Sequence, residues 1–212
     1  MADSSIKPIG ATSYKDTAFG IIPREQLLQF EIEGTRKGLE YIQDVIRKDK
    51  KRRVTPEFIC KLHEISFAWI FPDWAGKYRK IQVTFSDKEA PPYFEVPMLV
   101  TNMCKDLEER LKHLPVKEDD QYILEIVKLL AWFQHRFVFI HPFQDYNGRT
   151  ARMLTIFILL QLDLPPLELK GEEEEDRKQY LNAMQKADEG DYFLLEQLIG
   201  EALAETLQLS QE

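Results

Sequence analysis

Two long apolar runs at helical spacing, separated by a polar connection that opens with His141-Pro142, constrain this 212-residue chain more than any other feature. Ile123, Ile126, Val127, Leu130, Phe133 and Phe137 recur at three- and four-residue steps across 119–139, and the spacing resumes across 148–162. Pro142 disfavours the α conformation in the residue before it, so the first helix must break at His141. Helices this apolar belong in a core, and the connection between them is therefore held at both ends.

The rest of the chain reads as more helix with one interruption. Residues 1–22 carry Ser, Thr, Gly and isolated hydrophobics without a period, which predicts a loosely packed arm closed by Pro23. This divides the chain into an arm, 1–23, and one domain, 24–212. Leu27, Leu28, Ile32, Leu39, Ile42, Val45 and Ile46 predict a helix over about 24–48, broken near Gly34 because Gly34 and Gly38 weaken its middle. Thr55-Pro56-Glu57 is a helix start, with a capping hydroxyl ahead of proline, and the helix it opens should stop before Pro72.

Between residues 80 and 94 the period changes to two. Ile81, Val83 and Phe85 alternate with polar neighbours, 86–88 turns, and Pro91 to Phe94 follow as an edge-like second strand of a small hairpin. Helical spacing returns at 96–112, and further helices are expected at about 174–188 and 192–208. The carboxylates of 172–176 read as the first turn of such a helix, favoured by its dipole. The fold class is all-α, a helical bundle carrying one small β-hairpin.

A net charge of −8 excludes a general nucleic-acid binder, which needs a basic face. The one basic run, Arg47 to Arg53, reads as a solvated helix end. Cys60 and Cys104 lie within apolar helical patterns and read as core residues, which fits a reducing, cytoplasmic setting. No stretch approaches the roughly eighteen uncharged apolar residues of a membrane helix. His63, His113, His135 and His141 have no zinc-ligand spacing such as HExxH.

The polar connection itself, HPFQDYNGRTAR from His141 to Arg152, carries the chemistry. A proton acceptor (His141), a hard oxygen ligand suited to magnesium (Asp145) and two permanent cations (Arg149 and Arg152) stand within twelve residues. Asn147 and Gly148 fall at the start of the second helix, where free backbone N–H groups and the positive end of the dipole favour phosphate. Each residue alone has an ordinary explanation as a cap, a turn former or a solvated charge; together they make an active-site loop.

This string closely resembles the signature of Fic-domain proteins, HPFx(D/E)GNGRxxR. The resemblance extends over roughly residues 24–200, through Leu62-His63, Trp74 to Arg79, the hairpin and Arg177 to Tyr192. It implies a helical core with a hairpin flap and transfer of AMP from ATP to a Tyr, Thr or Ser hydroxyl of a target protein. His141 would be the base and Asp145 the Mg²⁺ ligand. Asn147, Gly148 and Arg149 would orient the phosphates, Arg152 would grip the γ-phosphate, and Tyr180 would wall the adenine pocket. The flap, about 80–94, would pair its edge with an extended segment of the target. Tyr146 departs from the pattern, which has glycine at that place.

Many relatives also carry an inhibitory motif, (S/T)xxxE(G/N), whose glutamate pairs with the second signature arginine. Glu33-Gly34 and Glu189-Gly190 both offer Glu-Gly, each with glutamine in place of the leading hydroxyl. Glu189-Gly190 reads as a helix stop, so the expectation is an inhibitory helix at about 24–48 with Glu33 paired to Arg152. Transfer of UMP, phosphate or phosphocholine, and a noncatalytic nucleotide- or partner-binding module, stay open as alternatives, as does a homo-oligomer.

Overall fold

The computed structural model describes residues 14–85, 88–167 and 174–209. A two-stranded hairpin comes first, β1 (Tyr14–Thr17) and β2 (Gly20–Pro23), followed by α1 (Arg24–Lys48) and α2 (Pro56–Phe67). A second hairpin, β3 (Thr84–Phe85) and β4 (Lys88–Glu89), and a 3₁₀ turn (Tyr93–Glu95) lead into α3 (Val96–Lys112). The bundle is completed by α4 (Tyr122–Ile140), α5 (Asn147–Gln161), α6 (Glu174–Asp188) and α7 (Phe193–Leu209). The all-α expectation holds, with two small antiparallel hairpins rather than one among the described residues.

The centre is α4 against α5. Ile126, Leu130, Phe133 and Phe137 of α4 and Leu154, Phe157 and Ile158 of α5 are all fully buried. Phe157 meets Phe58 of α2 with ring centroids 4.5 Å apart. At the start of α2, the Thr55 hydroxyl accepts from the Phe58 N–H at 3.2 Å, and Pro56 occupies the position whose N–H would have no partner.

The expected break of α1 at Gly34 does not occur; the helix runs unbroken for 25 residues. Its two glycines are contact points. A Cβ on Gly34 would collide with the Ser66 carbonyl, and one on Gly38 with the Ser66 hydroxyl and the Met153 sulfur. Close packing against α2 and α5 outweighs the roughly 1 kcal/mol that each glycine takes from intrinsic helix stability.

The N-terminal arm is also different from the reading of its composition. Residues 1–13 lie outside the described part, but 14–23 form a register-matched hairpin, Tyr14 opposite Pro23 and Thr17 opposite Gly20. It docks firmly: the Ala18 N–H donates to the Ile70 carbonyl at 2.8 Å, and Phe19 packs on Phe30 and Trp69 with centroids 5.1 and 5.9 Å away.

The second hairpin is shorter than the alternation predicts, only two residues per strand. Pro91 and Pro92 have no N–H for a ladder, so the chain leaves the strand there and winds into the 3₁₀ turn instead of continuing to Phe94. Gly190, at φ +89°, ends the α6 segment as read. The basic run beyond α1 is exposed, with Lys50 paired to Asp163 and Arg53 to Glu108. Of the acidic run, residues 172 and 173 lie outside the described part, and α6 begins at Glu174.

Candidate active site

His141 caps α4 in the left-handed region, φ +50°, ψ +58°, turning the chain out of the helix. Its Nδ1 lies 3.2 Å from the Val138 carbonyl. A carbonyl can only accept, so Nδ1 carries the proton and Nε2 keeps its lone pair. Burial lowers the imidazole pKa below its ordinary value, which keeps the ring neutral near pH 7. Phe85 of the β3–β4 hairpin stacks on it at 4.2 Å, nearly parallel.

The loop after His141 is held shut by backbone bonds. Asn147 is 2% exposed; its side-chain oxygen accepts from the Phe143 N–H at 2.9 Å, and its amide donates to the Phe143 carbonyl at 2.9 Å. That side chain therefore shapes the loop. Phe143 is fully buried and stacks on His63 at 3.8 Å.

His63 and Arg79 are two site-shaping residues to which sequence reasoning assigned no role. The Gly76 N–H donates to His63 Nδ1 at 2.9 Å, so Nε2 carries the proton and donates to the Asp145 carbonyl at 3.1 Å. Burial holds the His63 pKa down at about 4. The Arg79 guanidinium donates to the carbonyls of His141 (2.8 Å), Ile81 (3.1 Å), Ile140 (3.4 Å) and Pro91, and its N–H to that of Pro142 at 2.9 Å. A cation at the carbonyl end of α4 is also favoured by the dipole. The only signal in the sequence was the position of both residues in segments outside the polar loop that share the family resemblance.

Tyr146 precedes α5 at φ +60° and adopts the conformation that glycine usually supplies. Left-handed backbone in a non-glycine residue costs about 1–2 kcal/mol, and here aromatic packing offsets it. The ring is 7% exposed and stacks on Phe67 at 4.3 Å. Its hydroxyl donates to Glu31 at 2.8 Å, and burial together with that carboxylate pushes the phenol pKa far up, so it remains a donor.

Behind Tyr146 the α5 N-terminus presents backbone N–H groups without intrahelical acceptors, flanked by both arginines. Arg149 pairs with Glu31 at 2.8 Å, and its Nη1 is buried with no hydrogen-bond partner among the described residues. Arg152 makes no ion pair among the described residues. Burial lowers its pKa, and its guanidinium lies over Gly148, 3.8 Å from where a Cβ would stand. Tyr180 accepts a hydrogen bond from Gln134 at 3.1 Å and is an electrostatic neighbour of Arg152.

Glu33 is not in the site. Both its oxygens bind Arg36, at 2.8 and 2.6 Å, on the outer side of α1, and this pairing holds its carboxyl below the usual range. The expected Glu33–Arg152 pair is replaced by Glu31–Arg149. The reason is helical geometry: residues two apart point in nearly opposite directions, and Glu31 lies in the buried stripe Leu27, Glu31, Gly34, Gly38, Ile42. A carboxylate inside an otherwise apolar or glycine stripe was a legible signal for it.

Asp145 suits a hard cation. One oxygen accepts from the Tyr146 N–H at 2.7 Å, and the other already holds a positive group, the Lys15 ammonium. Among the described residues no cluster of three or more metal-ligating side chains exists. Magnesium in nucleotide sites is held by one or two carboxylates together with substrate phosphates and water, so a single half-exposed carboxylate beside an anion cradle fits it.

A neutral histidine, one carboxylate and a helix N-terminus flanked by guanidiniums stand together on a loop clamped between buried helices, an arrangement suited to an anion. The chain belongs to the Fic/DOC family, whose profile matches residues 53–159. It is 31% identical over 173 residues to a protein adenylyltransferase Fic of Nematostella vectensis, covering 80% of this chain and 37% of that relative. The chain thus spans little more than a third of the length of that curated relative. Among solved structures it is similar to a Fic-domain-containing signaling protein of Bacteroides thetaiotaomicron, with TM-score 0.70 and 23% identity over 85% of this chain and 70% of the other. It is also similar to the BepC protein of Bartonella tribocorum with bound AMPPNP, with TM-score 0.62 and 17% identity over 92% and 93%.

Proposed function

We propose that the protein is an adenylyltransferase that moves AMP from ATP to a hydroxyl of a target protein and is restrained by Glu31. The observation that carries the reading is the contact of His141 Nδ1 with the Val138 carbonyl, which assigns the proton to Nδ1 and leaves Nε2 as the free base on the loop that leads to the N-terminus of α5. The adenylyltransferase name of the relatives and the AMPPNP bound to BepC support the nucleotide.

His141 Nε2 takes the proton of the target hydroxyl as its oxygen attacks the α-phosphorus, and the bond to pyrophosphate breaks. The α5 N–H groups and Arg152 neutralise the phosphate oxygens, joined by Arg149 once Glu31 lets it go. Asp145 would hold Mg²⁺, which when bound neutralises charge on the phosphates. Tyr180, beside Arg152, would border the nucleotide, and the β3–β4 hairpin, which already reaches His141, would dock an extended target segment. Cys60 and Cys104 are free thiols, compatible with a cytoplasmic setting.

Incubation with α-labelled ATP tests the reading. Glu31→Gln keeps the size and the hydrogen bond of the side chain but removes the charge, and should raise label transfer several-fold over wild type. Glu33→Gln should change nothing, and His141→Ala should transfer none. Equal transfer by Glu31→Gln and wild type would reject the brake; transfer of γ-label instead of α-label would reject AMP as the group moved.

A further inference from the structure

We infer that residues 14–23 form a strap that places Lys15 in competition with the divalent cation for Asp145; this rests on the reading of Asp145 as the cation's ligand. Lys15 is far from the site in sequence, yet its ammonium forms an ion pair with the Asp145 Oδ2. Oδ1 is taken by the Tyr146 N–H, so Oδ2 is the oxygen left for a metal. The ammonium also lies 5.4 Å from the centre of the Tyr146 ring and 6.0 Å from that of Phe71, where ring faces favour a cation.

The placement is built in by the hairpin. Lys15 stands opposite Ile22 in the β1–β2 register, and directly opposed residues share a face of the ladder. Ile22 is buried at 9% exposure, so that face looks into the protein and carries Lys15 with it. The hairpin has its own anchors in the Ala18–Ile70 bond and the Phe19, Phe30 and Trp69 cluster. Removing the ammonium therefore leaves the strap docked. A divalent cation and an ammonium cannot share one carboxylate oxygen without strong like-charge repulsion, so each must displace the other. Without nucleotide phosphates the strap disfavours metal at Asp145; with them, the added ligands tip the exchange toward the metal and release Lys15.

The test is Mn²⁺ binding to the full chain without nucleotide, followed by electron paramagnetic resonance of the free ion. Lys15→Met should tighten Mn²⁺ binding by about two- to fivefold, the range expected for a partly exposed ion pair, with an unchanged melting temperature. Lys15→Arg should return the affinity to near wild type. Asp145→Asn should abolish specific binding. Equal Mn²⁺ affinity in wild type and Lys15→Met, with Asp145→Asn still abolishing binding, would overturn the strap alone. Unchanged binding in Asp145→Asn would overturn the ligand assignment and the strap with it.

Discussion

Two hairpins lie on the same polar loop after α4, and they are held in opposite ways. The N-terminal one, β1–β2, has four-residue strands, anchors itself by aromatic packing and reaches the loop with a charge, Lys15 on Asp145. The second, β3–β4, has two-residue strands, is anchored by charge and hydrogen bonding through Arg79 and Lys88, and reaches the loop with an aromatic ring, Phe85 on His141. The first can exchange its contact for a metal without leaving its place. On the proposed reaction the second would have to move its ring for a hydroxyl to reach His141, and its few ladder bonds suit a part that moves.

The largest effect expected from breaking this comparison is at Arg79, which is 4% exposed and serves four carbonyls at the root of the second hairpin. Arg79→Met should lower stability by about 3–5 kcal/mol in urea denaturation, since several buried acceptors lose their donor together. A loss below about 1 kcal/mol would show that the hairpin is not rooted there.

A smaller change, confined to the site, should follow Phe85→Ala. Burial keeps the His141 pKa down, so uncovering the ring should raise it, as an NMR titration of the imidazole would show. Only the neutral imidazole accepts a proton, so the proposed transfer should be lost as pH falls through this pKa. The acid limb of the variant should therefore lie at higher pH than that of wild type. A shift in the other direction would mean that Phe85 does not desolvate the base.

The smallest effect belongs to Lys88→Met, which removes the ion pair to Asp188 on the flank of the second hairpin. Its side chains are 30% and 23% exposed, so the cost should be at most about 1 kcal/mol and should shrink at high salt. A salt-insensitive loss in thermal melts would place the energy of Lys88 in its contacts with the Phe85 and Phe139 rings, at 5.0 and 5.9 Å.

The sequence by itself determined the helical periods, the break at His141-Pro142 and the chemical inventory of the loop, because each depends on residues close together in the chain. It also placed the capped start of α2 and the stop at Gly190, both local effects of backbone preference. Tertiary structure decided everything that depends on which surface a periodic element turns toward its neighbours. Close contact at Gly34 and Gly38 kept α1 whole and turned Glu31, not Glu33, toward Arg149. Packing also bound the Asn147 side chain to the Phe143 backbone, set His63 and Arg79 as the clamps of the loop, and carried Lys15 across 130 positions to Asp145. A period of 3.6 with its apolar stripe tells which residues share an inward face but not which neighbour that face meets, and only contact between elements supplies that choice.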